Sequence, residues 1–180
     1  MTISIKPTAS GSTIEQDGST ILTVDGSGNI SAENNFTATG HVLQVVNNSS
    51  TTNFSTRSLT PVDSGYSLSI TPSSASSKIA VFLNAKLFIQ TATTPQNYVY
   101  GQGCLYRGTT QLQCSGISVN TGTTAMTDMS GSAIVQYLDS PNTTSTVIYK
   151  LYISAITQDF LVSINSIGGV CNMTLMEVAG

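Results

Sequence analysis

The stretch Ser77–Gln90, SKIAVFLNAKLFIQ, decides the fold. Its residues divide into two faces of unequal polarity. Ile79, Val81, Leu83, Ala85, Leu87 and Ile89 fall on one face, and Ala80, Phe82, Asn84, Lys86 and Phe88 fall on the other. A period of two belongs to an extended strand, whose successive side chains point to opposite sides. The first face is wholly apolar and suits a sandwich interior. The second is half apolar, and its two aromatic rings require cover. Phe82 and Phe88 are therefore candidates for a subunit interface, with cover by the chain's own loops as the plainer alternative.

The same pattern recurs on both sides of this segment. HVLQVV (41–46) reads as a strand, and YSLSITP (66–72) places Tyr66, Leu68 and Ile70 on one face. Further strands are expected in NYVYGQGCLYRG (97–108), QLQCSGISV (111–119), SAIVQYLDS (132–140), STVIYKLYISAI (145–156), FLVSINSIG (160–168) and MTLMEVA (173–179). Turn chemistry separates them at Thr60-Pro61, Thr71-Pro72, Arg107-Gly108, Ser140-Pro141-Asn142 and Gly168-Gly169. No segment sustains an apolar period of about 3.6 residues over three turns. The reading is all-β, with an antiparallel sandwich over residues 41–180.

Residues 1–40 differ in composition. Ile3 and Ile5 alternate with polar residues, and Pro7–Thr13 reads as a polar linker. Ile14, then Ile21, Leu22 and Val24, then Ile30 and Phe36 make short strand-like pieces. Asp17-Gly18 and Asp25-Gly26 are hairpin turn signals. These pieces carry too few apolar residues to bury a core alone. They gain stability if several chains share faces, and interleaving about a three-fold axis is one such arrangement. The segment is read as an extended arm or neck, with Ile3, Ile5 and Ile14 as candidate attachment residues and Phe36 as a further candidate for the trimer interface.

Composition narrows the function. Only 8% of the 180 residues are charged, the net charge is −3, and Trp is absent. Ser and Thr exceed a quarter of the chain. Such a neutral, hydroxyl-rich surface suits an extracellular or particle-bound β protein and tolerates association, since self-repulsion is weak. The six cations are scattered, which argues against nucleic-acid binding. No apolar run approaches the length of a membrane span. The start MTISIKPTAS lacks the basic and apolar regions of a signal peptide, so synthesis in a cytoplasm without export is expected. Three cysteines (Cys104, Cys114, Cys171) do not make a closed disulfide framework. Pairing of Cys104 with Cys114 is the alternative if the two fall on neighbouring strands, but the reading carried forward is three buried thiols acting as small hydrophobes.

The residues offer no catalytic constellation. His41 is the one histidine, which leaves no ligand cluster for a metal and no local Cys–His pair. There is no Gly-x-Ser-x-Gly elbow, and no histidine follows position 41. Glycoside hydrolysis needs paired carboxylates. The nine acids (Glu15, Asp17, Asp25, Glu33, Asp63, Asp128, Asp139, Asp159, Glu177) fall largely in turn or loop contexts, and no Trp can stack a sugar. DGSGN (25–29) resembles the start of a calcium loop, but Phe36 stands where the bidentate Glu belongs, so a hairpin turn is the better reading. Gly101 and Gly103 are taken to mark a strand bend or bulge rather than a phosphate cradle. The expectation is a protein that is not an enzyme, with no cofactor and no metal.

Three sets of residues carry a family resemblance. TILTVDGSGNISAENNFTATGHVLQVV (20–46) resembles the Gly/Asn-rich neck of phage tail fibre proteins. SLSITPSSASSKIAVFLNAKLF (67–88) resembles their paired strands, joined by an I-T-P-x-S-x-S-S-K-I turn. YLDSPNTTSTVIYKLYIS (137–154) and TLMEVAG (174–180) resemble their last hairpin and C-terminal strand. The chain thus resembles bacteriophage virion surface proteins over about residues 20–180. The resemblance implies a homotrimer with a C-terminal jelly-roll head, similar to the tumour necrosis factor and complement C1q heads (TNF/C1q-like), behind an N-terminal arm at 1–40. It implies one of two places on the virion surface. The first is a capsid decoration or cement protein that stabilises the shell beside the major capsid protein. The second is a short tail fibre or receptor-binding tip, with tail proteins as neighbours, whose loops 91–97, 120–130 and 140–145 would meet a host glycan or receptor. A short N-terminal segment and the lack of coiled-coil repeats favour decoration.

Overall fold

A computed structural model of the chain describes residues 3–8, 11–16, 19–32, 40–91, 97–120, 122 and 126–180. Phe36, Asp17, Gly18, Glu33 and much of the loops 91–97 and 120–130 lie outside the described residues. The rest fall into two units, Met1–His41 and Val42–Gly180.

The first unit is a four-stranded antiparallel meander of β1 (Ile3–Thr8), β2 (Gly11–Gln16), β3 (Ser19–Asp25) and β4 (Ile30–Ala32), paired in chain order. The segment read as a polar linker, Pro7–Thr13, instead contributes to two strands, with Pro7 opposite Ser12. Proline is tolerated there because β1 is an edge strand. DGSGN forms the expected turn. The Asp25 carboxylate accepts from the Ser27 and Asn29 amides (2.8 and 2.9 Å) and from Asn29 Nδ2 (2.8 Å), which holds its pKa below the ordinary carboxylate value. This is the local side-chain bonding that makes Asp a turn former.

The second unit contains β5 (Val42–Ser50), β6 (Phe54–Thr56), β7 (Val62–Ile70), β8 (Lys78–Thr91), β9 (Tyr98–Arg107), β10 (Thr110–Asn120), β11 (Asp128–Asp139), β12 (Val147–Ala155), β13 (Phe160–Ile164) and β14 (Cys171–Val178). One sheet runs β10-β9-β12-β7. In the other, β8 pairs with β11 along one edge and with β14 and β13, end to end, along its opposite edge. β14 carries β5, and β13 carries β6. All pairings are antiparallel. The orders β7-β12-β9-β10 and β5-β14-β8-β11 interleave early and late strands, and β7, β8 and β9 alternate between the sheets. This is the connectivity of a jelly roll.

The core lies between the sheets. Ile79, Val81, Leu83, Ala85, Leu87 and Ile89 of β8 are all at most 2% exposed. They pack with Leu105, Val135, Tyr149, Leu151, Ile153, Met173 and Leu175. Burial of this kind contributes about 25 cal/mol per Å² of apolar surface.

Three sequence readings are corrected here. Cys104 and Cys114 stand directly opposite on β9 and β10 and form a disulfide. Only Cys171 is a buried thiol, its pKa pushed up to about 11 by burial. Gly101 and Gly103 mark no bend, because β9 pairs without a shift with β10 past both and with β12 as far as Gly101. They mark close approach between the sheets: a Cβ at Gly101 would stand 2.8 Å from Ile89 Cδ1, and one at Gly103 would stand 3.1 Å from Ala133 Cβ. The irregularity lies in β10, between Gln111 and Gln113. FLVSINSIG is not one strand; β13 ends at Ile164 and a turn follows.

Candidate functional site

The two faces of β8 have different fates. Its inner face fills the core, while its outer face meets solvent together with the outer faces of β5, β14 and β11. Antiparallel register aligns residues across these four strands in rows. One row is Val45, Met176, Ala80, Leu138. The next is Asn47, Thr174, Phe82, Gln136, and the third is Ser49, Asn172, Asn84, Ile134. None of these positions carries a charge. Phe82 therefore sits diagonally between Ile134 and Leu138 on the neighbouring strand, close enough for large side chains to touch. Ile134, Leu138 and Val45 are each 55% exposed and Phe82 is 41% exposed.

Phe82 stands between two shallow depressions. One, of about 90 Å³, is lined by Phe82, Asn84, Ile134, Gln136, Asn172 and Thr174. The other, of about 260 Å³, is lined by Ala80, Phe82, Gln136, Tyr137 and Leu138. Asn47 Nδ2 donates to Thr174 Oγ1 (2.8 Å), so part of the amide rim is internally satisfied. The three rows are apolar at their centre and flanked by amides and hydroxyls, and Lys78 and Lys86 take the outer-face positions of β8 beyond them. The rows can do little chemistry, but they can be buried against a partner without desolvating a charge.

Phe88 lies on the same outer face, opposite Ser130 and Ser163, and is half-buried. The structure thus separates the two phenylalanines, and Phe82 is the more open. In the N-terminal unit, Ile5, Ile14 and Leu22 stand directly opposite one another across β1, β2 and β3. Ile5 is 70% exposed, and Ile14 and Leu22 are half-buried. Ile3 opens β1. Among the described residues of this unit the sheet is a single layer, and this apolar row has no second sheet of its own unit above it.

On the outside of the β10-β9-β12-β7 sheet, Tyr98 and Tyr100 lie nearly parallel, Tyr106 stacks on Tyr152 at 3.9 Å, and Gln102 donates to Ser154 (2.8 Å). A polar cleft of about 280 Å³ is lined by Asn48, Ser49, Ser50, Ser64, Tyr66 and Ser67. Its one titratable group, Tyr66, donates its hydroxyl to the Asn48 carbonyl (2.6 Å), and burial pushes its pKa up to about 12. It is unsuited to proton transfer near neutral pH. Among the described residues no group of three or more His, Cys, Asp or Glu is placed to hold a metal ion.

Three of the acids are engaged in structural contacts. Asp139, read as a turn residue, is buried at the end of β11, where both its oxygens accept from Arg107 Nη1 (2.9 Å) and Oδ2 accepts from the Tyr149 hydroxyl (2.7 Å). Asp63, expected near a loop, lies in β7 and pairs with Lys150 (2.8 Å). Glu177 is fully buried and accepts from Ser73 and Gln44. Nothing in the local sequence signals these partners, because each lies far along the chain.

No protein-family model and no curated protein matches the chain. Among solved structures it is similar to VP2 of infectious bursal disease virus. The subviral particle overlaps at a TM-score of 0.39 and 12% identity, covering 94% of this chain and 42% of that one. Derived T=1 particles overlap at 0.34 and 15%, covering 97% and 44%. The Gx strain overlaps at 0.33 and 11%, covering 98% and 46%. The chain spans less than half the length of these proteins, and TM-scores this low carry no argument about its fold or function.

Proposed function

We propose that the chain is a non-enzymatic structural protein on the surface of a bacteriophage virion, homotrimeric through its jelly-roll head and attached through its N-terminal strands, acting as a capsid decoration protein. The observation that carries this reading is the charge-free patch centred on Phe82, which lies between Lys78 and Lys86 on the outer face of β5-β14-β8-β11. A solvent-facing sheet ordinarily alternates to polar residues on its outer side. This one keeps Val45, Phe82, Ile134 and Leu138 exposed in adjacent rows, which marks an association surface. The apolar row Ile5–Ile14–Leu22 supports the second part of the reading, since a one-layer sheet becomes stable when another chain covers it. The sequence resemblance to phage surface proteins supplies the virion.

Two measurements test it. Sedimentation velocity on the purified chain is expected to show a trimer, which Phe82→Asp dissociates; a wild-type monomer at all accessible concentrations would overturn the assembly. Antibody labelling of intact particles is expected to decorate the head in many copies. Label confined to the tail would overturn decoration in favour of a fibre or receptor-binding tip.

A further inference from the structure

Nη1 of Arg107 makes every bond that the guanidinium has among the described residues. It donates to both oxygens of Asp139 (2.9 Å each) and to the Ser140 carbonyl (3.5 Å). Nε and Nη2 have no partner there, and the side chain is 33% exposed. Satisfying Asp139 through one nitrogen is a task that a lysine ammonium could perform. What arginine adds is the Nε–Nη2 edge, two parallel donors whose spacing matches the two oxygens of a carboxylate. The bonds to Asp139 fix the guanidinium, and Asp139 is held in turn by the Tyr149 hydroxyl (2.7 Å).

Arg107 closes β9 and lines an open depression of about 390 Å³ beside the start of β12, together with Gly108, Pro141, Thr143, Thr146 and Ile148. The walls are tied together. The Gly108 amide donates to the Ile148 carbonyl (2.9 Å), the Ser145 amide donates to Thr143 Oγ1 (3.0 Å), and the Thr146 and Thr71 hydroxyls pair (2.8 Å). Asn142 turns the loop at a φ of +52°, a conformation that asparagine tolerates. Pro141 and Ile148, the latter 45% exposed, supply apolar wall. One directed cationic edge, two hydroxyls and an apolar wall in one concavity make up the lining of a small polar ligand's site.

We propose that this depression binds a sugar acid. Its carboxylate accepts from Arg107 Nε and Nη2, its hydroxyls meet Thr143 and Thr146, and its C–H face lies against Pro141 and Ile148. A carboxylate fits better than a phosphate dianion, because Arg107 is the one cation in the lining and Asp139 already offsets its charge. Attraction therefore comes from directed donors at short range, and a single site is weak. On the particle surface proposed above many copies would act together. The site lies within one chain and rests neither on the trimer nor on the place of the chain on a virion.

The probe is galacturonate, with galactose as the same ring without the carboxylate and acetate as the carboxylate without the ring. Nuclear magnetic resonance titration of the wild-type chain is expected to shift the Arg107 Nε–H and the Gly108 and Thr146 amide signals, with galacturonate bound at least about tenfold tighter than either control. Thr146 is exposed. Thr146→Glu is expected to weaken galacturonate at least about tenfold by repulsion and Thr146→Lys to tighten it, both with the thermal midpoint of the wild type. Arg107→Lys keeps a cation for Asp139 but loses the paired donors, and is expected to lose the preference for galacturonate over galactose; if that variant does not fold, the Thr146 pair decides. No shift at Arg107, galactose or acetate binding as tightly as galacturonate, or Thr146→Glu and Thr146→Lys moving affinity in the same direction overturns the site. Inorganic phosphate binding tighter than galacturonate overturns the choice of carboxylate.

Discussion

Glu177 and Ser73, 104 positions apart in the chain, are joined by two hydrogen bonds of 2.7 Å to the same carboxylate oxygen, one from the Ser73 amide and one from its hydroxyl. The other oxygen accepts from Gln44 Nε2 at 2.6 Å. The C-terminal strand β14 thereby ties down the turn between β7 and β8 and the start of β5. Burial alone would raise the pKa of this carboxyl, but the bonds from Ser73 and Gln44 outweigh it and hold the group at about 2, against an ordinary 4.5. A folded value below the unfolded one means that protonation favours unfolding. The stabilisation is complete above about pH 4.5 and drains away as the pH falls toward 2, amounting to about 3 kcal/mol. Thermal unfolding followed from pH 7 to pH 2 is expected to show a midpoint falling below pH 4.5, and Glu177→Gln is expected to flatten that acid limb while lowering the midpoint at neutral pH. An acid limb unchanged in the variant would show that another group carries it.

The Cys104–Cys114 disulfide closes a short loop around the β9–β10 hairpin, with a sequence separation of 10. A loop of this length restricts the unfolded chain by about 2–3 kcal/mol in the loop-entropy account. Reductant is expected to lower the unfolding free energy of the wild type, read from a denaturant series, by that amount and to leave a Cys104→Ala/Cys114→Ala variant unmoved. Cys171, buried and with its pKa at about 11, is expected to resist alkylation until the chain unfolds. Rapid labelling of Cys171 in the folded protein would contradict its placement.

How much of this was legible in the sequence follows from the range of the interactions. The alternation over Ile79–Ile89 is local, and the structure places every residue of that face inside. Tyr66 and Ile70 follow suit, as does the Asp25 turn, whose bonds span at most four residues. The Asp139, Glu177 and Cys104 pairings depend on strand order, and a strand pattern does not specify which strand lies beside which. The glycines of β9 were misread for the same reason, since the side chains that exclude a Cβ come from the opposite sheet. Phe82 was visible as an apolar residue on the wrong face. The Arg107 depression was not, because Arg107-Gly108 reads as a turn signal until the strand order brings residues 141–148 beside it.

Asp139 joins three strands: its own β11, β9 through Arg107, and β12 through Tyr149. Tyr149 is fully buried, and burial together with its bond to Asp139 pushes its pKa well above the ordinary tyrosine value. Asp139→Ala leaves a buried hydroxyl without an acceptor and Arg107 without its partner, and is expected to cost about 3 kcal/mol in urea unfolding. Tyr149→Phe removes the donor and leaves the ion pair in place, and is expected to cost about 1 kcal/mol. Equal losses in the two variants would mean that the hydroxyl, and not the ion pair, is the part that matters.

Gly101 tests how closely the sheets approach. A methyl group there would lie 2.8 Å from Ile89 Cδ1 and 3.0 Å from Val162 Cγ2, both in the middle of the opposite sheet. Ile89 and Val162 are fully buried and pair with each other in the β8–β13 register, so neither can swing into solvent. Gly101→Ala is therefore expected to destabilise by about 1–3 kcal/mol through overpacking. The remedy follows from the geometry: Ile89→Val removes the Cδ1 atom that the new methyl meets. Alone, that trimming is expected to cost about 1 kcal/mol. Combined with Gly101→Ala it is expected to recover part of the loss, so the double variant should be more stable than the sum of the single effects. Strict additivity in a denaturant series would mean that the sheets separate freely at this point and that glycine is not required to let them meet.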